Sequence, residues 1–455
     1  MKKFLALLLS LSLVCSSLVL LSSCSRVKEK DLTRSGAETL SNALAQTVTD
    51  FFSFDEALLS VAGEAFTSGS ASISVSGKQL LGNTLEKVSE TVYFHEDRTV
   101  LDSVVKYDGD TYSLRTYFDE KGITARSDAL LGEGVYALTY EGLLSKLDGS
   151  LLLDLLPLGE DTLAEIKEAF ARLDRSGASD VDTEDVLNAA LEKLLPRTET
   201  LDVTTEEGTA SAVAVSYTIN TATLTAALKV IAERGYTGEA GQAALAEIEH
   251  MIPVGVGFDF CLTFALDKKS GKLVEITLGG EYRVPVDTET VALFYDAAVK
   301  FSENAIKATL TTDTKVGDTA QGEKMWSALI TRRVDDAGAR YTLRTEADGK
   351  ALLSYDFTYT KATGAISIKS LSEKTTLFEI CGNVTLDKKT ASIRLNSLVV
   401  GEVTVSFEVA ITFAAEAVTP EIPTGAKDIL TLSAEEAEAL VEQWENSRIF
   451  DILSP

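Results

Sequence analysis

The chain has 455 residues, is 45% apolar with 7 prolines, and carries a formal net charge of −27 at pH 7. A chain this acidic is a poor polyanion binder, expected to be repelled by nucleic acid and by anionic lipid head groups, so nucleic acid is not an expected partner, and the apolar content excludes an intrinsically disordered chain. With two histidines, His95 and His250, far apart in sequence, a zinc site of the usual nitrogen and sulfur ligands is not expected either.

Met1-Lys2-Lys3 is a basic start, and Phe4 to Leu21 is an apolar stretch broken only by serines and Cys15, which is the layout of an export signal. A retained membrane anchor is the competing reading, because the run approaches the roughly 20 residues that span a bilayer. Small Ser22, Ser23 and Cys24, followed by polar Ser25 to Lys30, favour cleavage. Leu21-Ser22-Ser23-Cys24 resembles the lipobox of bacterial lipoproteins, a likeness confined to the start of the chain. In that family the signal is cut before the cysteine, which then carries acyl chains. The resemblance therefore implies a signal over 1–23, lipidation of Cys24, and an exported protein held on the extracytoplasmic face of a cell membrane. Several acyl chains anchor far more durably than one. Loss of Lys2 and Lys3 with the signal takes the formal charge from −27 to −29.

Residues 24–36 read as a short charged tether. Leu40, Leu44, Val48, Phe51 and Phe52 then recur at helical spacing, so roughly 37–66 is expected as one amphipathic helix on a core. From Ser68 the period becomes two. Hairpin signals follow at Asp108-Gly109, Lys121-Gly122, Lys269-Ser270-Gly271, Ala337-Gly338, Asp348-Gly349 and Thr363-Gly364. Helical blocks are expected from about Glu141 to Leu195 and from Thr221 to Met251, the second with Leu224, Leu228 and Ile231 on one face.

Residues 37–253 thus form an α+β region with helical blocks, and 254–426 an antiparallel β-meander. In Val403 to Phe413 every odd residue is large and apolar, which buries one face of a strand roughly 35 Å long at about 3.3 Å per residue. Long antiparallel strands twist and curl. The expected fold class is α+β: a long-stranded, curved antiparallel sheet, half-barrel-like, with helical insertions. Ser433-Ala434-Glu435-Glu436 is a capping-box pattern that opens a C-terminal helix within 427–455, with Leu440, Val441 and Trp444 docked inward.

Phe258 to Ser270 resembles Phe378 to Thr390, and Cys261 and Cys381 fall at the same place in both. Each segment is a strand entering a polar turn, so shared hairpin physics accounts for the likeness as well as duplication does. The two cysteines could form a disulfide if their strands are neighbours, or remain small strand residues.

No nucleophile elbow, zincin helix, phosphate loop or dinucleotide fingerprint occurs in the sequence. The segment Glu168 to Asp185 is similar to an EF-hand, with Asp174, Ser176, Asp180, Asp182 and Asp185 as candidate Ca2+ ligands. Ala178 and Ser179 depart from the pattern, and Asp185 is short for the last ligand. A polar turn followed by a helix capped by Asp182 is the plain alternative. Apart from that calcium, no cofactor is expected.

The functional expectation is a non-enzymatic lipoprotein whose curved sheet shelters a lipid or other apolar ligand against Phe258, Phe260 and Phe264. The open half-barrels of the Lol-system lipoprotein carriers resemble it in architecture only. The alternatives are an envelope lipoprotein that binds another protein, and a hydrolase built from scattered residues.

Overall fold

The computed structural model describes residues 36–77, 81, 84–156, 162, 164, 183–235, 257–286, 289–317, 319–372 and 375–445. Cys24 and its flanks lie outside the described residues. Among the described residues, no helix is long and apolar enough to cross a membrane.

Helices α1 (Gly36–Phe52) and α2 (Glu56–Ser68) come first. Strands β1 (Ser70–Ser76), β2 (Leu85–Phe94), β3 (Thr99–Tyr107), β4 (Asp110–Phe118), β5 (Gly122–Arg126) and β6 (Val135–Thr139) follow. Next are α3 (Leu143–Leu147), α4 (Leu151–Leu155), α5 (Thr183–Lys193), β7 (Arg197–Thr205), β8 (Gly208–Asn220) and α6 (Thr221–Gly235). A run of strands comes after: β9 (Gly257–Asp267), β10 (Leu273–Val286), β11 (Glu289–Phe301), β12 (Ala305–Val316), β13 (Thr319–Asp335), β14 (Gly338–Ala347) and β15 (Lys350–Thr360). The chain continues with β16 (Ala365–Ser372), β17 (Thr375–Leu386), β18 (Thr390–Val400), β19 (Val403–Ala414), β20 (Lys427–Asp428) and α7 (Ala434–Glu445). The class is α+β, and its sheets are built from long antiparallel strands.

All six sequence-marked turns join consecutive strands. Asp108 and Gly109 have φ of 50° and 86°, and Asp348 and Gly349 have 50° and 73°, the left-handed pair that a two-residue hairpin turn needs.

The described residues divide into two compact units, interleaved in sequence. The first takes in the described parts of Met1–Phe54, Gly177–Ala362 and Ser367–Phe378, and the second those of Asp55–Ser176, Thr363–Ile366 and Glu379–Pro455.

In the first unit β7 to β15 pair in sequence order, each antiparallel to the next. Alternation gives this sheet an apolar inner face and an outer face rich in threonine and charge. Helix α1 lies on the inner face, where Ala43 meets a core of Val213, Val215, Tyr217, Leu266, Leu273 and Phe301. Thr47 fastens it there, donating through Oγ1 to Ala43 O at 2.6 Å and accepting from Leu273 N at 2.9 Å. On the outer face Val203 packs with Ala212, Ala214, Ala265 and Val274, small residues that let the β7–β8 hairpin bend across the strands. At its tip the Glu207 carboxylate accepts from Glu303 N (2.9 Å) and Asn304 N (2.8 Å), and Glu206 pairs with Lys307 at 2.7 Å.

The helix expected over 37–66 is two helices. Helix α1 ends because partners remote in sequence take its last carbonyls: Tyr341 Oη donates to Phe51 O at 3.0 Å and Arg332 Nη2 to Ser53 O at 2.9 Å. Asp55 then starts α2 as its N-cap, accepting from Ala57 N and Leu58 N at 3.1 and 3.3 Å. The second helical block also differs in detail. In α6 the buried positions are Thr223, Ala227, Val230 and Ala232, while Leu224, Leu228 and Ile231 are half-buried. Ala227 and Val230 pack with Ala190 of α5.

In the second unit the strand order is β17–β18–β19–β1–β2–β3–β4–β5–β6–β20, antiparallel except for the short β6–β20 pair. Helix α2 sets Phe66 edge-on against Phe94 and Phe413, with centroids 5.3 and 5.6 Å away. The expected capping box forms. Glu436 accepts from Ser433 N at 3.0 Å, and Ala437 and Leu440 of α7 are buried with Leu152 and Leu432.

Candidate functional site

In β9 the even residues Phe258, Phe260, Leu262, Phe264 and Leu266 share the inner face of the first unit, and Asp259, Cys261 and Thr263 the outer. The three candidate phenylalanines do not share one environment. Phe264 lies on the end covered by α1, edge-on to Tyr217 at 6.4 Å, and Tyr217 is 2% exposed. Burial pushes the Tyr217 phenol above its ordinary pKa. At this end α1 covers the face.

Toward the other end of the same strands the inner face is half-exposed. Phe258 and Phe260 stack with centroids 6.3 Å apart, and Phe260 reaches Tyr295 of β11 at 6.1 Å. Tyr282, opposite Phe258, and Leu293, opposite Tyr282, extend the patch, and all five side chains are half-buried. The Phe260–Tyr295 contact crosses β10 at Gly280, which is opposite both residues. Gly280 has φ +154°, and a Cβ there would lie 2.1 Å from Asp259 O and 2.8 Å from Phe260 Cδ1. The glycine leaves space for the ring. No local pattern marks Tyr295, Tyr282 and Leu293 in the sequence, and the Gly279-Gly280 doublet inside a strand is the signal of a close approach.

Cys261 is on the outer face with an exposed, free thiol, 3.9 Å from Thr263 Oγ1. Cys381 is half-buried in β17, opposite Ser397, on a strand segment of the second unit. Of the calcium candidates, Asp174, Ser176, Asp180 and Asp182 lie outside the described residues, and Asp185 is exposed in the first turn of α5. Among the described residues, no three His, Cys, Asp or Glu side chains cluster as a metal site.

A cavity of about 390 Å³ lies at the opposite end of β9 from the aromatic patch, lined by Thr47, Asp50, Phe51, Lys272, Phe301 and Arg332 among others. Its charged groups are engaged locally. Lys272 pairs with Asp50 at 2.6 Å, and Arg332 binds the end of α1. Nearby Asp267 has its carboxylate partly buried, which works against ionisation, yet Ser270 and Lys269 donate to it and hold its pKa below the usual value. The aromatic patch is therefore the better ligand surface, since it is apolar, partly exposed and, among the described residues, free of competing ion pairs.

No protein-family model matches the chain, and no curated protein matches it. Among solved structures there is a faint likeness to OmpTdeltaL8, a loop L8 deletion mutant of OmpT, an outer membrane protein of Vibrio cholerae. It covers 76% of this chain and 96% of that one at 7% identity, with a TM-score of 0.16. A likeness of that size carries no argument about fold or function.

Proposed function

We propose that this protein is an extracytoplasmic lipoprotein, tied to a membrane by acylated Cys24, that holds a lipid or other apolar ligand on the inner face of its first unit and catalyses no reaction. The observation that carries the reading is the half-exposed cluster of Phe258, Phe260 and Tyr295 on a face whose other end α1 seals. Covering about 200 Å² of such surface with an acyl chain stabilises a complex by roughly 5 kcal/mol before the costs of association. In this reading the long strands curve about the ligand as a half-barrel does. The tether supports the address: α1 begins at Gly36, and the residues from Cys24 to that point reach about 40 Å when extended.

The test is native mass spectrometry of the protein after gentle extraction. Co-purified lipid that Phe260→Asp displaces supports the site, and an empty protein that binds no added lipid contradicts it. For the anchor, Cys24→Ala abolishes acyl labelling and membrane retention, and persistence of both would contradict it.

A protein-interaction role is the second reading. Trp326 and Leu353 are both exposed on one face near the β14–β15 turn, an apolar pair suited to another protein. Cross-linking from Trp326 that captures no protein in whole cells would count against it.

A further inference from the structure

The aromatic row continues into a hydroxyl and a cation. Tyr295 is opposite Thr312 in β12, and Thr312 is opposite Lys324 in β13, so alternation sets all three on the face of Phe260. The row Phe260–Gly280–Tyr295–Thr312–Lys324 crosses four inter-strand gaps, about 19 Å at roughly 4.8 Å each, which is the reach of a long acyl chain. Lys324 is exposed and, among the described residues, forms no ion pair. Other cations of these strands are engaged. Arg283 pairs with Glu281 at 2.6 Å, Lys300 with Glu275 at 3.4 Å and Lys307 with Glu206 at 2.7 Å, and Lys315 lies 4.6 Å over the Phe294 ring. Glu323 is on the opposite face, paired in register with Asp313, so its carboxylate is not on the aromatic side. An unpaired ammonium at the end of an aromatic row is a complement to a negative head group, and it occurs in a chain of net charge −27.

We infer that the ligand of the aromatic patch is an anionic amphiphile: a long acyl chain laid along Phe260 and Tyr295, with a carboxylate or phosphate head held by Lys324 and Thr312. This rests on the patch being an apolar-ligand site, and adds the chemical class of the ligand. An ammonium and a hydroxyl both donate to anionic oxygen, and a charge-assisted bond is the stronger of the two. A neutral lipid would use only the apolar part of the row.

The test is displacement of a fluorescent fatty-acid probe from the purified full-length protein by hexadecanoate, hexadecyl phosphate and hexadecanol, each below its aggregation limit. Both anions should bind roughly fivefold or more tightly than the alcohol, the scale of one exposed ion pair. Lys324→Gln should erase that preference without weakening the alcohol, and Lys324→Arg should keep it. The tighter of the two anions then tells a free fatty acid from a phospholipid head group. Equal binding of all three, or a preference that survives Lys324→Gln, overturns the inference. If all three bind equally and Phe260→Asp abolishes them, the apolar site stands and only the head-group assignment falls. If none binds, both fall.

Discussion

Gly280 and Gly279 are adjacent in β10, yet substitution by alanine should have opposite effects. At Gly280 the added methyl group would lie 2.1 Å from the Asp259 carbonyl oxygen, at φ +154°, in a strand held between β9 and β11. Backbone at so large a positive φ costs a non-glycine residue roughly 1–3 kcal/mol, and overpacking a fixed neighbour adds about 1–3. We expect Gly280→Ala to destabilise the first unit by about 3 kcal/mol, roughly a hundredfold in its unfolding equilibrium. Gly279 faces open space with no positive φ, so Gly279→Ala should be neutral or stabilise by up to about 1 kcal/mol. Urea unfolding read by tryptophan fluorescence resolves this. Trp326 belongs to the first unit and Trp444 to the second, so a Trp444→Phe background leaves a reporter of the first. At a slope of about 2 kcal/mol/M, Gly280→Ala lowers the midpoint by about 1.5 M. Equal midpoints for the two alanine variants would refute the claim that Gly280 is kept small for the Phe260 ring.

Other outcomes follow from single contacts. Thr47→Val keeps the side-chain shape but removes the acceptor of the buried Leu273 N–H, so it should destabilise the first unit by about 1–3 kcal/mol in the same assay. Lys427, and then Ser433, hold the exposed Glu436 carboxyl down to about 2 from its ordinary 4.5. Its support of α7 is therefore complete above pH 4.5 and is lost as pH falls through 2. The Trp444 signal should change across that window, and Glu436→Gln should remove the change. Cys261, free and exposed, should react with maleimide in the native protein, and Cys261→Ser should lose that label. Labelling that appears only after a reductant is added would establish a disulfide instead.

The turns and the last helix were readable in the sequence because each is encoded within a few residues. Asp348-Gly349 carries its left-handed pair in itself, and Ser433 and Glu436 cap each other. The break after α1 was not, because Arg332 and Tyr341, nearly 300 residues away, take its final carbonyls. The site was readable in part. Alternation places Phe258, Phe260 and Phe264 on one face, all half-buried, but only the cover by α1 sets Phe264 against the core and leaves the other two beyond it. Tyr295 and Lys324 join the row through the register of β9 to β13, which no local pattern specifies.

The most direct test of an apolar ligand on the inner face is photo-cross-linking with a diazirine-bearing fatty acid, followed by peptide mapping. The account predicts label on β9 and β11 around Phe258, Phe260 and Tyr295, removed by Phe260→Asp. Label confined to other strands, or none at saturating ligand, would contradict it.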